Sequence, residues 1–133
     1  SSTGAPEARE VARDIAIKDI ETVIISGGYT SLEEYMAPSV EVILAASEAG
    51  DKQSPKEATE NLKRLESSAG GWTFILPEST IENWLKGPYG KYLPKSSSDG
   101  SVGQSIDGQI IAFTLNKSNK IDKIFMGEES LML

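Results

Sequence analysis

The sequence contains neither cysteine nor histidine among its 133 residues. Without cysteine, disulfide bonds and thiolate nucleophiles are excluded. Without histidine, a Ser-His-Asp triad, a histidine general base and a histidine-ligated zinc site are excluded as well. Any catalysis would therefore depend on carboxylates, lysine or tyrosine, and we expect neither a cofactor nor a metal.

Basic residues and long apolar runs are also scarce. The chain has 13 basic and 20 acidic residues, which gives a net charge of −7. The acidic excess lies in the first half, because residues 1–66 hold 13 acids and 7 bases whereas residues 67–133 hold 7 acids and 6 bases. Most of this surface should repel phosphate, and no apolar run approaches the ~20 residues of a membrane-spanning helix. Nucleic acid, an anionic membrane and a transmembrane segment are therefore not expected.

The overall composition is that of one globular domain. Hydrophobic residues make up 38% of the chain and charged residues 25%, which are ordinary fractions for a folded protein. We expect a flexible segment at 1–5 and a single domain at 6–133. The first residues are small and polar, as is common after a removed export signal or lipid-anchor cysteine, and a cloning boundary has the same composition. We lean towards export.

The first half has a helical pattern. Pro6 suits the first turn of a helix over 6–26, and Gly27 and Gly28 are placed to end it. A short helix over 30–36 follows, in which Ser31 and Glu34 have the spacing of a capping box.

The next segments are a strand and a third helix. β-branched residues predict a strand over 40–46, with a helix as the alternative, followed by a polar loop over 47–53. Ser54, Pro55 and Glu57 form a strong helix start, so a helix over 55–67 should follow.

The sequence of the second half mainly predicts strands. Residues 72–76 are aromatic and β-branched and predict a strand that ends at Pro77. Ser79 and Glu82 have capping-box spacing for a short helix within an irregular section. A tight turn is expected at Asp107, and the ranges 110–115 and 120–126 form the clearest hairpin. The fold class is therefore α+β, with the order α-α-β-α-β-(irregular)-β-β.

This order of elements resembles the nuclear-transport-factor-2-like superfamily, a cystatin-like α+β cone. The similar features are the long first helix, the short helix around residues 32–37, the strand at 40–46, the helix opened by Ser54 and the strands at 72–76 and 108–126. The resemblance implies N-terminal helices packed on a curved antiparallel sheet, with a pocket between the sheet and the first helix. Members include isomerases, dehydratases and pure binding modules, so the resemblance does not choose between catalysis and binding.

Candidate binding residues cluster in the second half. Several aromatic residues there could line an apolar pocket, although large aromatics in a small domain more often form the core. The interleaved lysines occupy a segment without acids, at 83–98, and could contact an anion, a sugar or an acidic partner, with a solvated loop as the simpler alternative. The candidate ligand- or partner-binding residues are Trp72, Phe74, Trp84, Lys86, Tyr89, Lys91 and Tyr92.

Two hypotheses for function follow, and a third concerns assembly. The favoured one is a non-enzymatic module that binds an apolar ligand or a protein partner. The alternative is an isomerase- or dehydratase-type enzyme, whose pocket carboxylate would need a raised pKa and a tyrosine donor. The third is a homodimer through the outer face of the sheet, which exposed side chains from Ile110, Phe113, Ile124 or Phe125 would support. The candidate carboxylates are Asp14, Asp19 and Asp107, and the candidate donors are Tyr35, Tyr89 and Tyr92.

Overall fold

The computed structural model describes residues 4–45, 50–65, 71–96 and 98–132. These residues form three α-helices, five strands and short 3₁₀ helices. The α-helices are α1 (Gly4–Ser26), α2 (Pro55–Leu65) and α3 (Glu78–Leu85). The strands are β1 (Met36–Leu44), β2 (Gly50–Gln53), β3 (Gly100–Gln104), β4 (Gln109–Leu115) and β5 (Ile121–Glu128). The 3₁₀ helices are Tyr29–Tyr35, Gly90–Tyr92 and Glu129–Leu131.

The five strands form one mixed sheet in the order β2-β1-β5-β4-β3. Strands β3, β4 and β5 pair antiparallel, and so do β1 and β2. Strands β1 and β5 run parallel and join the two halves of the chain at the centre of the sheet. β3 is therefore the strand at one edge of the sheet.

Both faces of the sheet are covered by other parts of the chain. Successive side chains of β1, β4 and β5 alternate between two buried clusters, as the period of two in a strand requires. On the first face, Ile111 and Phe113 pack with residues of α1, α2 and the 3₁₀ helix Tyr29–Tyr35. On the second face, Ile110 and Phe125 pack with residues of α3 and of the segment that follows it.

The covered faces bear on the dimer hypothesis. The four apolar residues whose exposure would support it are all buried. The outer face of the sheet therefore offers none of them to a second copy. These residues are Ile110, Phe113, Ile124 and Phe125.

Two helix ends form as the sequence predicts. The amide of Gly28 donates to the carbonyl of Val23 at 3.0 Å, and that of Gly27 donates to Ile24 at 3.0 Å, which is a Schellman motif. Gly27 has a φ of +79°, a conformation that glycine adopts without strain. At α2, the amide of Ser54 donates to Glu57 Oε1 at 3.1 Å, and the amide of Glu57 donates to Ser54 Oγ at 3.3 Å. The capping box is confirmed.

The other two predicted capping boxes are wrong. The 3₁₀ helix at Tyr29–Tyr35 begins after Gly28, and no side chain caps it. Helix α3 begins one residue before Ser79, with Pro77 at the N-cap position and again no side-chain cap. In both places the backbone turns into the helix before the serine is reached, so the serine lies inside the helix.

The α+β class and the order of elements are confirmed, while several strand details differ. The sheet is mixed, not wholly antiparallel, because β1 pairs parallel with β5. Residues 72–76 do not form a full strand: only Thr73 pairs, with Gln104, and the chain then leaves the sheet to start α3 at Glu78. The predicted loop at 47–53 contains β2 from Gly50 onward, and residues 46–49 lie outside the described part.

Strand β3 was not predicted because its sequence, GSVGQ, has two glycines and low strand propensity. For Gly100, the reason is its packing against β4. A Cβ at Gly100 would lie 1.9 Å from the carbonyl oxygen of Phe113 in the neighbouring strand. Gly100 is therefore required by the close approach of β4, and a sequence pattern alone cannot distinguish this from a turn.

Candidate functional site: a groove at the edge of the sheet

The predicted aromatic residues lie in three different places. Trp72 is buried on the first face, where its Nε1–H donates to the hydroxyl of Tyr29 at 3.2 Å. A buried indole whose only polar hydrogen is satisfied is typical of a core residue. Trp72 therefore contributes to the core.

Three further aromatics pack on the second face. Trp84 and Tyr89 are buried there, and Tyr92 is half-buried. The ring of Phe125 lies 5.6 Å from that of Tyr89 and 6.1 Å from that of Tyr92, measured between centroids. Trp84 and Tyr89 lack the exposed faces that a ligand would contact, and this cluster holds α3 and the following segment against the sheet.

Phe74, another of the predicted aromatics, borders an open space. It is half-buried, and its ring centroid lies 6.2 Å from that of Phe113. A Cβ at Gly103 would lie 2.6 Å from Phe74 Cε1, so the ring rests directly on the glycine backbone of β3. Phe74 thus forms part of a wall at the edge of the sheet.

The predicted lysines are exposed. Lys86 follows α3, and Lys91 places its Nζ 5.1 Å from the centre of the Tyr92 ring. Neither lines the groove described below. Lys95, which belongs to the same segment without acids, does line it.

The space beside Phe74 is a groove of about 360 Å³. Four parts of the chain surround it: the segment after Thr73, helix α3, residues 94–96 and the start of β3. Its lining is mostly apolar, with polar groups from α3 and from the loop before β3. The lining residues are Phe74, Leu76, Glu78, Ile81, Glu82, Leu85, Pro94, Lys95, Ser96, Gly100, Ser101 and Val102.

The backbone of β3 faces this groove. The amide of Ser105 donates to Gln109 and the carbonyl of Asp99 accepts from Leu115, so odd-numbered residues of this stretch point towards β4. Gln104 instead exchanges two hydrogen bonds of 2.9 Å with Thr73, on the outer side. Because strand hydrogen bonding alternates, the N–H and C=O groups of Gly100 and Val102 also point outwards, and no described residue pairs with them.

Charged groups of both signs surround the groove. Helix α3 supplies Glu78 and Glu82, which lie one helical turn apart and are exposed, and the opposite segment supplies Lys95. Ser101 donates a hydrogen bond from Oγ to Glu21 of α1 at 2.5 Å. The two acids of α3 give the groove a local excess of negative charge.

No arrangement for catalysis is found in the described residues. Asp14, Asp19 and Asp107 are all exposed, and no carboxylate is buried among residues 11–45, 51–63, 71–96 and 98–132. The same ranges contain no group of three acidic, histidine or cysteine residues placed to hold a metal ion. None of their helices is long and apolar enough to cross a membrane.

Sequence reasoning missed most of the groove. Ile81 and Leu85 alternate with Glu78 and Glu82 along α3, and this amphipathic pattern was a signal that could have been used. The outward-facing backbone of Val102 has no such signal, because β3 itself was not predicted.

No protein-family model matches the chain, and no curated protein is similar to it. Among solved structures, it is similar to DUF4783 family proteins from three Bacteroides strains. Those from Bacteroides fragilis YCH46 and Bacteroides ovatus ATCC 8483 are each 15% identical with a TM-score of 0.55, over 82% of this chain and 94% and 91% of theirs. The protein from Bacteroides uniformis ATCC 8492 is 14% identical with a TM-score of 0.50, over 82% of this chain and 93% of its own. At such identity, the similarity concerns the fold.

Proposed function

We propose that the protein is a non-enzymatic binding module that contacts a protein partner through the groove at the edge of β3. The observation that carries this proposal is the groove itself, an open space of about 360 Å³ with largely apolar walls. Apolar walls with a few polar groups are typical of sites that bury part of a partner.

The interior supports binding over catalysis. The space between α1 and the sheet is filled by side chains such as Ile20, Leu32 and Trp72. Isomerase- or dehydratase-type chemistry needs a carboxylate held in a sheltered pocket. The acids that line the groove, Glu78 and Glu82, are exposed to solvent.

The test is selection of binders from a random heptapeptide library displayed on phage, followed by calorimetry. The variant Ser96→Trp places an indole in the groove at an exposed position. Ser118→Trp makes the same change at an exposed position in the β4–β5 turn, outside the groove. We expect the selected peptides to lose at least about tenfold in affinity for Ser96→Trp, equivalent to ~1.4 kcal/mol, and to keep their affinity for Ser118→Trp. Failure to select binders, or equal binding to both variants, would contradict the proposal.

We also propose membership of the nuclear-transport-factor-2-like superfamily. The long helix α1, the short helix after it and the strands at the C-terminal end support this, as does the packing of α1 and α2 on one face of the sheet. A crystal structure should have a strongly curved sheet wrapped around α1. A flat sheet would contradict the assignment.

A further inference from the structure

We propose that the groove binds its partner as an added β-strand: a short, extended peptide bearing basic side chains that pairs with the outer edge of β3. This inference rests on the proposed function and specifies its partner and geometry.

The first argument is the unused hydrogen-bonding capacity of β3. Gly100 and Val102 direct their N–H and C=O groups outwards, as the Thr73–Gln104 pair shows by alternation. An edge strand with free backbone groups is a template for pairing with another chain. Both residues line the groove, so a strand placed in it would meet these groups.

The second argument is the course of residues 71–76. Thr73 pairs with Gln104, and continued antiparallel pairing would place Ile75 opposite Val102. The chain instead leaves the sheet: Ile75 is 91% exposed, and Leu76 packs with the cluster of the second face. This segment therefore does not pair with Val102 and Gly100, whose outward-facing backbone groups have no partner among the described residues.

The third argument concerns the side chains of the partner. Residues of a strand alternate in direction, so one set of peptide side chains would face the apolar residues Leu76, Ile81 and Leu85 of the groove. Glu78 and Glu82 flank them with two exposed carboxylates, and the whole chain carries a charge of −7. Basic side chains on the peptide are complementary to this field.

The same charges argue against a second copy as the occupant. Pairing of two β3 edges would bring two sets of Glu78 and Glu82 towards each other, on chains that each carry a charge of −7. Juxtaposed like charges disfavour association. A basic peptide has no such penalty.

The experiment uses the tightest heptapeptide from the library selection and replaces its backbone amides, one at a time, by N-methyl amides. N-methylation removes an N–H donor and leaves the side chains unchanged. At alternate peptide positions, where the N–H would pair with β3, N-methylation should lower the affinity by at least about tenfold. At the positions in between, the affinity should change little. The selected sequences should be enriched in Lys and Arg.

Hydrogen exchange of the amides of β3 tests the same strand pairing on the protein. The amide of Val102 should exchange quickly in the free protein, whereas that of Gly103, which faces β4, should be protected. Saturating peptide should slow exchange at Val102 by at least about tenfold and leave Gly103 unchanged. The matched variants Glu82→Lys and Glu60→Lys, the latter on the exposed face of α2, change the net charge equally, so Glu82→Lys should weaken binding more because only this change is at the groove.

The outcomes separate the two proposals. If Ser96→Trp abolishes binding but N-methylation has no alternating effect, the groove binds its partner without strand pairing and this inference is wrong. If selection yields acidic peptides, the charge argument is wrong. If Val102 is already protected in the free protein and sedimentation shows a dimer, a second copy occupies the edge. If no peptide binds, the proposed function itself fails.

Discussion

Phe74 and Gly103 show how a single residue shapes the groove. The ring of Phe74 lies so close to the backbone of β3 that a Cβ at Gly103 would approach Cε1 to 2.6 Å. Such a distance is below van der Waals contact, so any side chain there must displace the ring. The absence of a side chain at Gly103 thus positions a wall residue of the groove.

We therefore predict that Gly103→Ala lowers the free energy of unfolding by about 1–3 kcal/mol, because of overpacking against Phe74. Gly28→Ala is the matched control, since a Cβ there has its nearest neighbour at 3.5 Å and φ is −84°. Its effect should stay within ~0.5 kcal/mol or be slightly stabilising. Urea denaturation measures both, and equal effects would contradict the packing explanation.

The buried pair Tyr29 and Trp72 leads to a second prediction. Tyr29→Phe leaves the indole N–H of Trp72 without its hydroxyl acceptor in the core. Because an unsatisfied buried donor is costly, we expect a loss of about 1–3 kcal/mol in denaturation experiments. Tyr35→Phe, at a half-buried tyrosine, is the control. A loss no greater than that of the control would show that the hydrogen bond contributes little.

Local signals identified two helix ends correctly, whereas the capping-box spacings at Ser31 and Ser79 did not form caps. The capping box of Ser54 and Glu57 and the helix end at Gly27 depend only on neighbouring residues, and both are confirmed. The role of Phe74 depends on Gly103, 29 positions later in the chain. No local pattern contains that contact, so Phe74 and the buried Trp72 had equal standing as candidates.

At the scale of elements, Arg13 joins helix α1 to the β4–β5 hairpin and to the loop before β3. Its guanidinium donates to the carbonyls of Leu115 and Asn116 at 3.1 and 2.8 Å, to Asn119 Oδ1 at 3.2 Å and also to the carbonyl of Ser98. The planar arrangement of five donors in arginine suits such a set of acceptors. One side chain thereby fixes three elements relative to one another.

We predict that Arg13→Ala lowers the free energy of unfolding by about 2 kcal/mol, since hydrogen bonds from charged groups are lost. Arg13→Lys should recover little, because a lysine keeps the charge but cannot reach several acceptors in one plane. Lys18→Ala, at an exposed position of the same helix, is the control and should change stability by less than ~0.5 kcal/mol. If Arg13→Lys had the same free energy of unfolding as the original protein, the charge alone would account for the effect of Arg13.

The helices and the hairpin could be predicted because their hydrophobic periods and end signals are strong. The edge strands could not. β2 is short and polar, and β3 has two glycines, one required by β4 and one by the ring of Phe74. The groove lies against one of these edges, so the elements that form it were the hardest to obtain from the sequence.

At the scale of the whole molecule, the net charge of −7 should change the rate at which a charged partner associates. A surface of one sign steers an oppositely charged partner, and salt screens this effect. The groove lies in the half of the chain that is nearly neutral overall, with 7 acids and 6 bases. The field that attracts a basic peptide therefore comes largely from the first half of the chain.

We predict that the association rate of a selected basic peptide falls by roughly tenfold between about 20 and 500 mM NaCl in stopped-flow measurements. Glu60→Lys should slow association at low salt only, because it changes the overall field. Glu82→Lys should also speed dissociation, since it changes a group at the groove. A rate independent of salt would contradict the electrostatic explanation.

The parallel pairing of β1 with β5 has a consequence for folding during synthesis. Met36–Leu44 can complete its place in the sheet only after Ile121–Glu128 has emerged from the ribosome. Until then β1 has only β2 beside it, and one edge of a strand with buried apolar residues is open. Contacts between distant parts of a chain form slowly, and such nascent edges are where aggregation begins. Until β5 has been made, the open edge of β1 is therefore a site at which the nascent chain can aggregate.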